Sequence, residues 1–383
     1  MSLLDLLLGP VVTGLAVAGL VVLVSNLFMV PVLGRHFRNG ARATAKVSVV
    51  IPARNEAARI QDCIQAVLAQ QGVDLELIVV DDCSDDATFE LAEAAAAGAG
   101  FRVTVIAGRL PPAGWTGKNW ACHQAAAHAT TELLCFVDAD TRLEPTAIAE
   151  LARVLDEEDA DLVSSLVAAE YVTPAQAIFL PMVNHALLAL FPVAAMHSAR
   201  LPRVALALGP FMVVTRDAYD RVGGHAARRG EIVDDVGMSR AVKRSGGRVR
   251  LVNGTGVART GWYPGLRGIW NGFSKNAFGA LDRNELLAAL TCFGLVPLLV
   301  APFGRLALGL IGDGVANEVW LQIALFLVAR LVSALAGRDP VWSIVFHPVT
   351  VAFWGATLLW SAWLARRGSS VEWRGRSVLV QGG

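Results

Sequence analysis

The chain is short of charge. Only 17% of its 383 residues are Asp, Glu, Lys or Arg, against about 25% in a soluble globular domain. A purely water-soluble body therefore does not account for it. It also lacks an excess of either sign, because 33 basic residues balance 33 acidic ones. Nothing in that balance points to a nucleic-acid partner. Cysteine is scarce: Cys63, Cys83, Cys122, Cys135 and Cys292 are odd in number, and none are paired at metal-ligand spacing. They read as small buried residues of a protein from a reducing compartment. There is no G-x-G-x-x-G and no Walker motif, which removes the usual dinucleotide and P-loop readings. What is plentiful is apolar: 54% of residues are hydrophobic and the mean hydropathy is +0.50. A disordered chain has the opposite composition. Length allows about two domains, and composition favours one soluble domain plus membrane segments.

Residues 3–34 carry one charge, Asp5, and are long enough to span a hydrocarbon core of about 30 Å. No basic stretch precedes them and no small-residue cleavage site follows, so they read as an anchor rather than a signal peptide. Arg35, Arg38, Arg42 and Lys46 follow at once, which places the N-terminus outside and residue 46 onward in the cytoplasm. Three more apolar stretches, 285–311, 319–336 and 341–365, make up a membrane region over 281–365. Pro297, Pro302 and Arg305 interrupt the first, and Arg330 is expensive at mid-bilayer in the second. Three crossings would leave the tail, 366–383, outside. Yet that tail sets Arg366, Arg367, Arg374 and Arg376 against Glu372 alone, which argues for inside. One of the three stretches is therefore expected to be re-entrant or interfacial.

The pattern changes after Ala45. Short apolar runs at 47–51, 75–80, 101–106, 133–137 and 161–167 alternate with helix-like stretches at 56–70, 86–97, 118–129 and 145–155. This alternation predicts an α/β domain over 46–265 with a mostly parallel, Rossmann-like sheet. Ligands of such sheets bind beyond the carboxyl ends of the strands. The polar clusters Pro52–Glu56, Asp81–Asp86 and Asp138–Asp140 all follow strands.

Asp138-Ala139-Asp140 places two carboxylates one residue apart at a strand end, where they could ligate one hard cation such as Mg²⁺ or Mn²⁺. The plain alternative is a pair of solvated loop charges. Asp81-Asp82 stands in the same relation to its strand, with Ser84 and Asp85 available as helix caps. Asp234-Asp235 precedes an amphipathic helix. It is either N-terminal helix charge or a general base whose pKa a second carboxylate raises. In GWTGKNWACHQ, 114–124, Lys118 beside glycines at a helix start suits a phosphate. Aromatic packing under a loop is the alternative there.

VSVVIPARNEAARI, IVVDDCSDDAT, FVDAD and VDDVGMSRAVKRSG occur in that order over about 46–255. Together they resemble the nucleotide-sugar glycosyltransferases of family 2, which have the GT-A fold. GWTGKNWACHQ, WYPGLRGIWNGFSKN and the flanking apolar segments are similar to a membrane subgroup that includes carotenoid and hopene-associated glycosyltransferases. The resemblance implies that Pro52, Ala53 and Glu56, with Asp81 or Asp82, hold the nucleotide. It implies that Asp138 faces the ribose and metal, and that Asp140 ligates Mg²⁺ or Mn²⁺. Asp235 stands at the family's catalytic base, with Asp234 where a Glu is usual. Gly223-Gly224-His225 matches the glycine turn before it. Trp373, Arg374 and Arg376 are similar to the end of those chains, and with Lys118 the tail arginines would assist the diphosphate. The Gln-x-x-Arg-Trp motif of processive synthases is absent, which favours transfer of a single sugar.

The expected enzyme is an inverting hexosyltransferase of the cell membrane with its catalytic domain in the cytoplasm. It would move a sugar from a nucleotide-sugar, UDP-glucose above all, to a hydroxyl of a carotenoid- or hopanoid-like lipid. A polyprenyl phosphate is the alternative acceptor, and a non-catalytic membrane scaffold the alternative of another class. Asp140 and Asp235 must meet on one side of the membrane. The apolar run 175–197 between them, with Pro181, Asn184, His185, Pro192 and His197, is therefore expected as interfacial helices or a buried core helix.

Overall fold

A computed structural model describes residues 3–34, 45–99, 102–198, 200–201, 204–312 and 314–379. Arg35, Arg38 and Arg42, on which the sequence-based orientation leans, lie outside the described residues.

Twelve strands are described. They are β1 (Ala45–Ala53), β2 (Val73–Asp81), β3 (Val103–Ala107), β4 (Leu133–Val137), β5 (Thr141–Leu143), β6 (Leu162–Leu166), β7 (Ala168–Ala169), β8 (Phe211–Thr215), β9 (Val249–Asn253), β10 (Ala258–Thr260), β11 (Ser370–Trp373) and β12 (Arg376–Leu379). The main sheet runs β3-β2-β1-β4-β8-β6-β9. β8 is antiparallel to both neighbours, and the other pairings are parallel. Burial dictates the composition of these strands: Val47, Val49, Val50, Ile51, Leu77, Val79 and Val80 are all inaccessible. Strands covered on both faces become continuous apolar runs rather than alternating ones. A second, small sheet pairs β5-β10-β7.

The helices are α1 (Leu3–Met29), α2 (Ile60–Leu68), α3 (Thr88–Ala96), α4 (Gly117–His128), α5 (Ala147–Glu157), α6 (Pro174–Phe179), α7 (Pro181–Leu190), α8 (Val193–His197), α9 (Arg216–Arg221), α10 (Asp234–Arg244), α11 (Gly265–Ser274), α12 (Ala277–Ala280), α13 (Glu285–Ala289), α14 (Val296–Ile311), α15 (Asn317–Gly337) and α16 (His347–Arg366). A π-turn over Leu290–Leu295 joins α13 to α14. Among the described residues four helical stretches are long and apolar enough to cross a membrane: Gly9–Met29, Glu285–Ile311, Asn317–Gly337 and Val341–Arg366.

The apolar run 175–197 is three short helices, broken where Pro181 and Pro192 start new elements. α7 packs against α1 and α15, α8 against α1, and α6 against α11 and α16. Asn26 of α1 donates to the carbonyls of Leu188 and Phe191, each at 2.8 Å, and accepts from the Val193 N–H at 3.0 Å. Arg330 is 1% exposed. Its guanidinium points into the protein and donates to the Pro181 carbonyl at 3.2 Å, which relieves part of the cost of burying it.

Candidate active site

The carboxyl ends of β1, β2 and β4 carry the polar clusters to one edge of the sheet. Pro52 and Ala53 close β1, and the Ala53 carbonyl accepts from the Asp82 N–H at 2.7 Å. Asp81 closes β2, and its Oδ2 accepts from the Ser84 N–H at 3.1 Å. Thr88 at the start of α3 is capped by Asp86, not by Ser84 or Asp85. Ser84 accepts instead from the Asn55 N–H at 3.0 Å. Asp81 Oδ1 and Asp82 Oδ1 are buried acceptors with no donor among the described residues. Such groups are costly unless something fills them.

On the other side of the edge, Asp138 and Asp140 follow β4. Asp138 Oδ1 pairs with Lys118 Nζ at 2.8 Å. The GWTGKNW stretch builds this contact. Thr116 caps α4 by accepting from the Asn119 N–H at 3.2 Å, which sets Lys118 in the first turn. Asn119 is fully buried and donates to the carbonyls of Arg228, at 2.6 Å, and Glu231, at 2.9 Å. It ties α4 to the loop that leads into Asp234. The indoles do pack, Trp115 edge-on to Trp120 at 4.9 Å, as the aromatic-packing alternative expects.

Asp234 and Asp235 open α10. Asp235 Oδ2 accepts from the Gly209 N–H at 2.6 Å and Oδ1 from the Val236 N–H at 2.8 Å. Asp234 Oδ2 lies 3.6 Å from His225 Nε2, and the Tyr219 hydroxyl fixes that ring through Nδ1 at 2.9 Å. The two carboxyls diverge. Burial and the Asp234 charge push Asp235 up to about 6. Burial also acts on Asp234, but Lys118 and His225 overcome it and hold it at about 2. Asp234 is thus held toward its anionic form, and Asp235 is pushed toward its neutral one. Asp138, Asp234 and Asp235 hold the Lys118 ammonium well above its ordinary value, against burial.

Asp140 lies apart from this trio. Its Oδ1 accepts from the Thr260 hydroxyl at 3.0 Å, and its Oδ2 lies 3.9 Å from Arg59 and 4.0 Å from Arg374. Arg374 also ion-pairs with Glu56. Burial pushes Glu56 up to about 7, opposed by Arg374. β11 and β12 form a hairpin whose tip, Arg374-Gly375, lies against Asn55: the Asn55 amide donates to the Arg374 carbonyl at 3.1 Å. Both tip residues have positive φ, 50° and 75°, as a two-residue hairpin turn requires. Arg376 pairs with Asp82 at 2.6 Å. Trp373 ends β11, and its side chain lies outside the described ones.

The predicted residues therefore gather into three adjoining groups: Lys118 with Asp138, Asp234 and Asp235; Glu56 with Asp140 and Arg374; Asp82 with Arg376. Reading by motif missed Arg59, Thr260, Gly209 and Lys275. Arg59 and Lys275 sat inside the quoted motifs, and Thr260 and Gly209 carried no signal. Burial and the Lys118 charge press Lys275 down to about 7, opposed by Asp138 and Asp234. Among the described residues no three His, Cys, Asp or Glu side chains form a metal cage. Two carboxylates with open oxygens suit an ion that shares its shell with substrate phosphates and water, as Mg²⁺ does.

Residues 48–222 match the family model for glycosyl transferase family 2. Relatives named 4,4'-diaponeurosporenoate glycosyltransferase occur in Staphylococcus haemolyticus and Staphylococcus aureus. The first is 26% identical over 279 residues, 70% of each chain. One from S. aureus is 24% identical over 347 residues, 87% of this chain and 88% of the relative. Among solved structures, the mannosyltransferase PcManGT of Pyrobaculum calidifontis, in complex with GDP-Man and Mn²⁺, aligns with a TM-score of 0.52. It is 16% identical and covers 93% of this chain and 97% of its own. The fold is thus that of GT-A enzymes, and the chain is a glycosyltransferase whose residues 48–222 match the family 2 model, with helices long and apolar enough to cross a membrane, and it is similar to the 4,4'-diaponeurosporenoate glycosyltransferases.

Proposed function

We propose that the chain transfers one sugar, with inversion, from a nucleotide-sugar to the hydroxyl of a membrane lipid. UDP-glucose is the donor and a carotenoid- or hopanoid-like lipid the acceptor. The observation that carries the reading is the placement of Asp235: buried at the head of α10, held by the Gly209 and Val236 N–H groups, and beside the Asp234 carboxylate, whose charge together with burial raises it. An alcohol must lose its proton as it attacks, and a base near neutral pKa serves that step best. A phosphate acceptor needs no such base, so the pair favours a hydroxyl over a polyprenyl phosphate.

Asp235 takes the acceptor proton, and the alkoxide oxygen attacks the anomeric carbon from the face opposite the diphosphate. Asp138 and Asp140 would hold Mg²⁺ or Mn²⁺, which supplies Lewis-acid stabilisation of the leaving diphosphate. Lys118 and Arg374 add positive charge beside those carboxylates. The unfilled Asp81 Oδ1 and Asp82 Oδ1 would accept from the N–H of the base, beside Pro52 and Ala53.

The tail supports a topology. Arg374 and Arg376 reach the donor edge, so residues 265 and 370 lie on one side of the membrane. Any crossings between them are even in number. We take α13–α14 and α15 as the two, with α1 preceding the cytoplasmic domain. Val341–Arg366 is then re-entrant. His347, at its deep end, stacks within 5.6 Å of Phe303 and 5.5 Å of Phe326. Arg366, at its other end, pairs with Glu285 at the start of α13.

The test is transfer of label from radioactive nucleotide-sugars to extracted lipids by purified protein with Mn²⁺. Acid-stable label with UDP-glucose, lost in Asp235→Asn, is expected. Acid-labile label surviving in that variant would move the acceptor to a polyprenyl phosphate. No lipid label with any donor would end the lipid-acceptor reading.

A further inference from the structure

Behind Asp234 lies a buried polar chain that the transfer step does not touch. Tyr219, His225 and Asp234 are 5%, 0% and 4% exposed. Tyr219 belongs to α9, His225 to the turn that follows it, and Asp234 to the head of α10. The turn is built round the imidazole. Gly224 has a φ of 50°, and a β-carbon on it would lie 2.5 Å from Tyr219 Cε1. Only glycine brings the backbone that close to the phenol in that conformation. Phe136 of β4 meets the His225 ring edge-on at 4.9 Å. The ring is therefore held from several sides.

Hydrogen bonds fix its tautomer as well. The Tyr219 hydroxyl accepts from the His225 backbone N–H at 3.2 Å and lies 2.9 Å from His225 Nδ1. A hydroxyl has one proton to give. With an N–H already directed at its oxygen, that proton goes to Nδ1, which is thus the acceptor. Burial holds the ring below its ordinary range, opposed by Asp234, so the imidazole is neutral and carries its own proton on Nε2. Nε2 faces Asp234 Oδ2 at 3.6 Å. It is a buried nitrogen with no hydrogen-bond partner among the described residues, and the gap lies just beyond bonding distance. Bonds of this kind are often long in an unliganded enzyme and close when substrate is in place.

The two neighbouring carboxyls are held differently. Backbone N–H groups of Gly209 and Val236 hold Asp235, whereas His225 and the Lys118 charge act on Asp234. Adjacent carboxyls compete for one proton. We propose that His225 is a positioning residue of the transfer reaction: its Nε2–H, set by Tyr219, orients the Asp234 carboxylate as its acceptor, so that the proton leaving the acceptor hydroxyl passes to Asp235 alone. The inference rests on the reading of Asp235 as the base. The acceptor O–H bond breaks, Asp235 takes the proton, and the oxygen bonds to the anomeric carbon as the diphosphate leaves with its electron pair. His225 neither gains nor loses a proton.

The test has two arms, both on the full chain in nanodiscs. The first needs no turnover. Nitrogen NMR of the histidine-labelled chain reports which ring nitrogen carries the proton, with the His225 signals assigned by their loss in His225→Gln. The proton is expected on Nε2 in wild type and shared between the nitrogens in Tyr219→Phe. A proton on Nδ1 in wild type would overturn the proposal. The second arm is sugar transfer, with melting temperature as the check on folding. A Gln amide nitrogen reaches the place of Nε2, and an Asn amide only that of Nδ1. His225→Gln is therefore expected to lose no more than about fivefold in kcat, Tyr219→Phe about tenfold, and His225→Asn and His225→Phe about 10²-fold, the lower end for disabling a positioned base. A ring that merely fills space would lose kcat in step with melting temperature, whatever the reach of the amide. Equal kcat in His225→Gln and His225→Asn, or wild-type kcat in His225→Phe, would overturn the proposal. No transfer by wild type would overturn the functional reading instead, and the NMR arm would still decide the tautomer.

Discussion

Arg376 Nη1 lies 2.6 Å from Asp82 Oδ2, although 294 residues separate them. The same guanidinium donates to the Asp82 carbonyl at 3.0 Å. Gly117 completes the spot, since a β-carbon on it would collide with both side chains. The tail hairpin is therefore built into the sheet edge that carries Asp82. Arg376→Ala is expected to raise the KM for nucleotide-sugar about tenfold, roughly 1.4 kcal/mol, with the KM for lipid unchanged. Adding Asp82→Asn should cost less than the two single losses summed, because the pair acts as a unit. An unchanged or lower donor KM in Arg376→Ala would show that the tail merely rests there.

Asp235 makes opposite predictions for activity and stability. As the base it must be ionised, so kcat should fall as pH drops below about 6, and Asp235→Asn should lose about 10²–10⁴-fold. A carboxyl raised in the folded state binds its proton more tightly there than when unfolded. Its contribution to stability is present at low pH and fades as pH rises from about 4 to about 6. At pH 7 the native state carries that penalty, and Asp235→Asn removes it. The variant should therefore be inactive yet more stable, by ~1–3 kcal/mol. Thermal melts at pH 7 and pH 5 check this, with the gain shrinking at the lower pH. A variant less stable at pH 7 would mean that its hydrogen bonds from Gly209 and Val236 matter more than its charge.

The sequence made the sheet legible because buried parallel strands advertise themselves as apolar runs. The run 133–137 is β4 without adjustment, and its neighbours differ by one to two residues at most ends. β8, β9 and the small sheet of β5, β7 and β10 were not read. They are short, and β8 lies antiparallel between strands distant in sequence, a pairing that no local pattern encodes. The same holds for the site. Asp81, Asp82, Asp138, Asp140 and Asp235 could be picked out by their position after strands or before a helix. The partners that tune them could not: Thr260 reaches Asp140 across 120 residues. The conflict over crossings was visible in the tail's arginines, whereas the contact of Arg374 with Glu56, across more than 300 residues, was not.

Gly209 is a site residue with no side chain. A β-carbon there would lie 2.9 Å from Lys118 Nζ and 3.2 Å from Asp235 Oδ2. The Lys118 ammonium would have to move aside, and the Asp235 carboxylate to give by a few tenths of an ångström. Lys118 and Asp235 can approach one backbone only because it is bare. Gly209→Ala is expected to lower kcat about 10²-fold, the scale for misplacing a reacting group by roughly 1 Å. The KM for nucleotide-sugar should rise as well, because the displaced Lys118 is one of the groups proposed to meet the diphosphate. Wild-type kcat in Gly209→Ala would dissociate Lys118 and Asp235 from the chemistry.

Asp140 is where the cation reading is most exposed to test. Asp138 already has an ammonium on one oxygen, whereas Asp140 holds only a hydroxyl on Oδ1 and two guanidinium groups near 4 Å from Oδ2. Burial and the neighbouring Asp138 charge raise Asp140, so an ion arriving between the two carboxyls relieves a repulsion already present. The Mn²⁺ concentration for half-maximal activity should accordingly rise at least tenfold in Asp140→Asn. Thr260→Val should raise it less, since the hydroxyl only orients Oδ1. Chelation with EDTA should abolish transfer, and added Mn²⁺ should restore it. Full activity after chelation, with an unaltered profile in Asp140→Asn, would leave the arginines and lysines alone to stabilise the leaving diphosphate. Arg374→Ala would then be the deleterious substitution, and Asp140→Asn a neutral one.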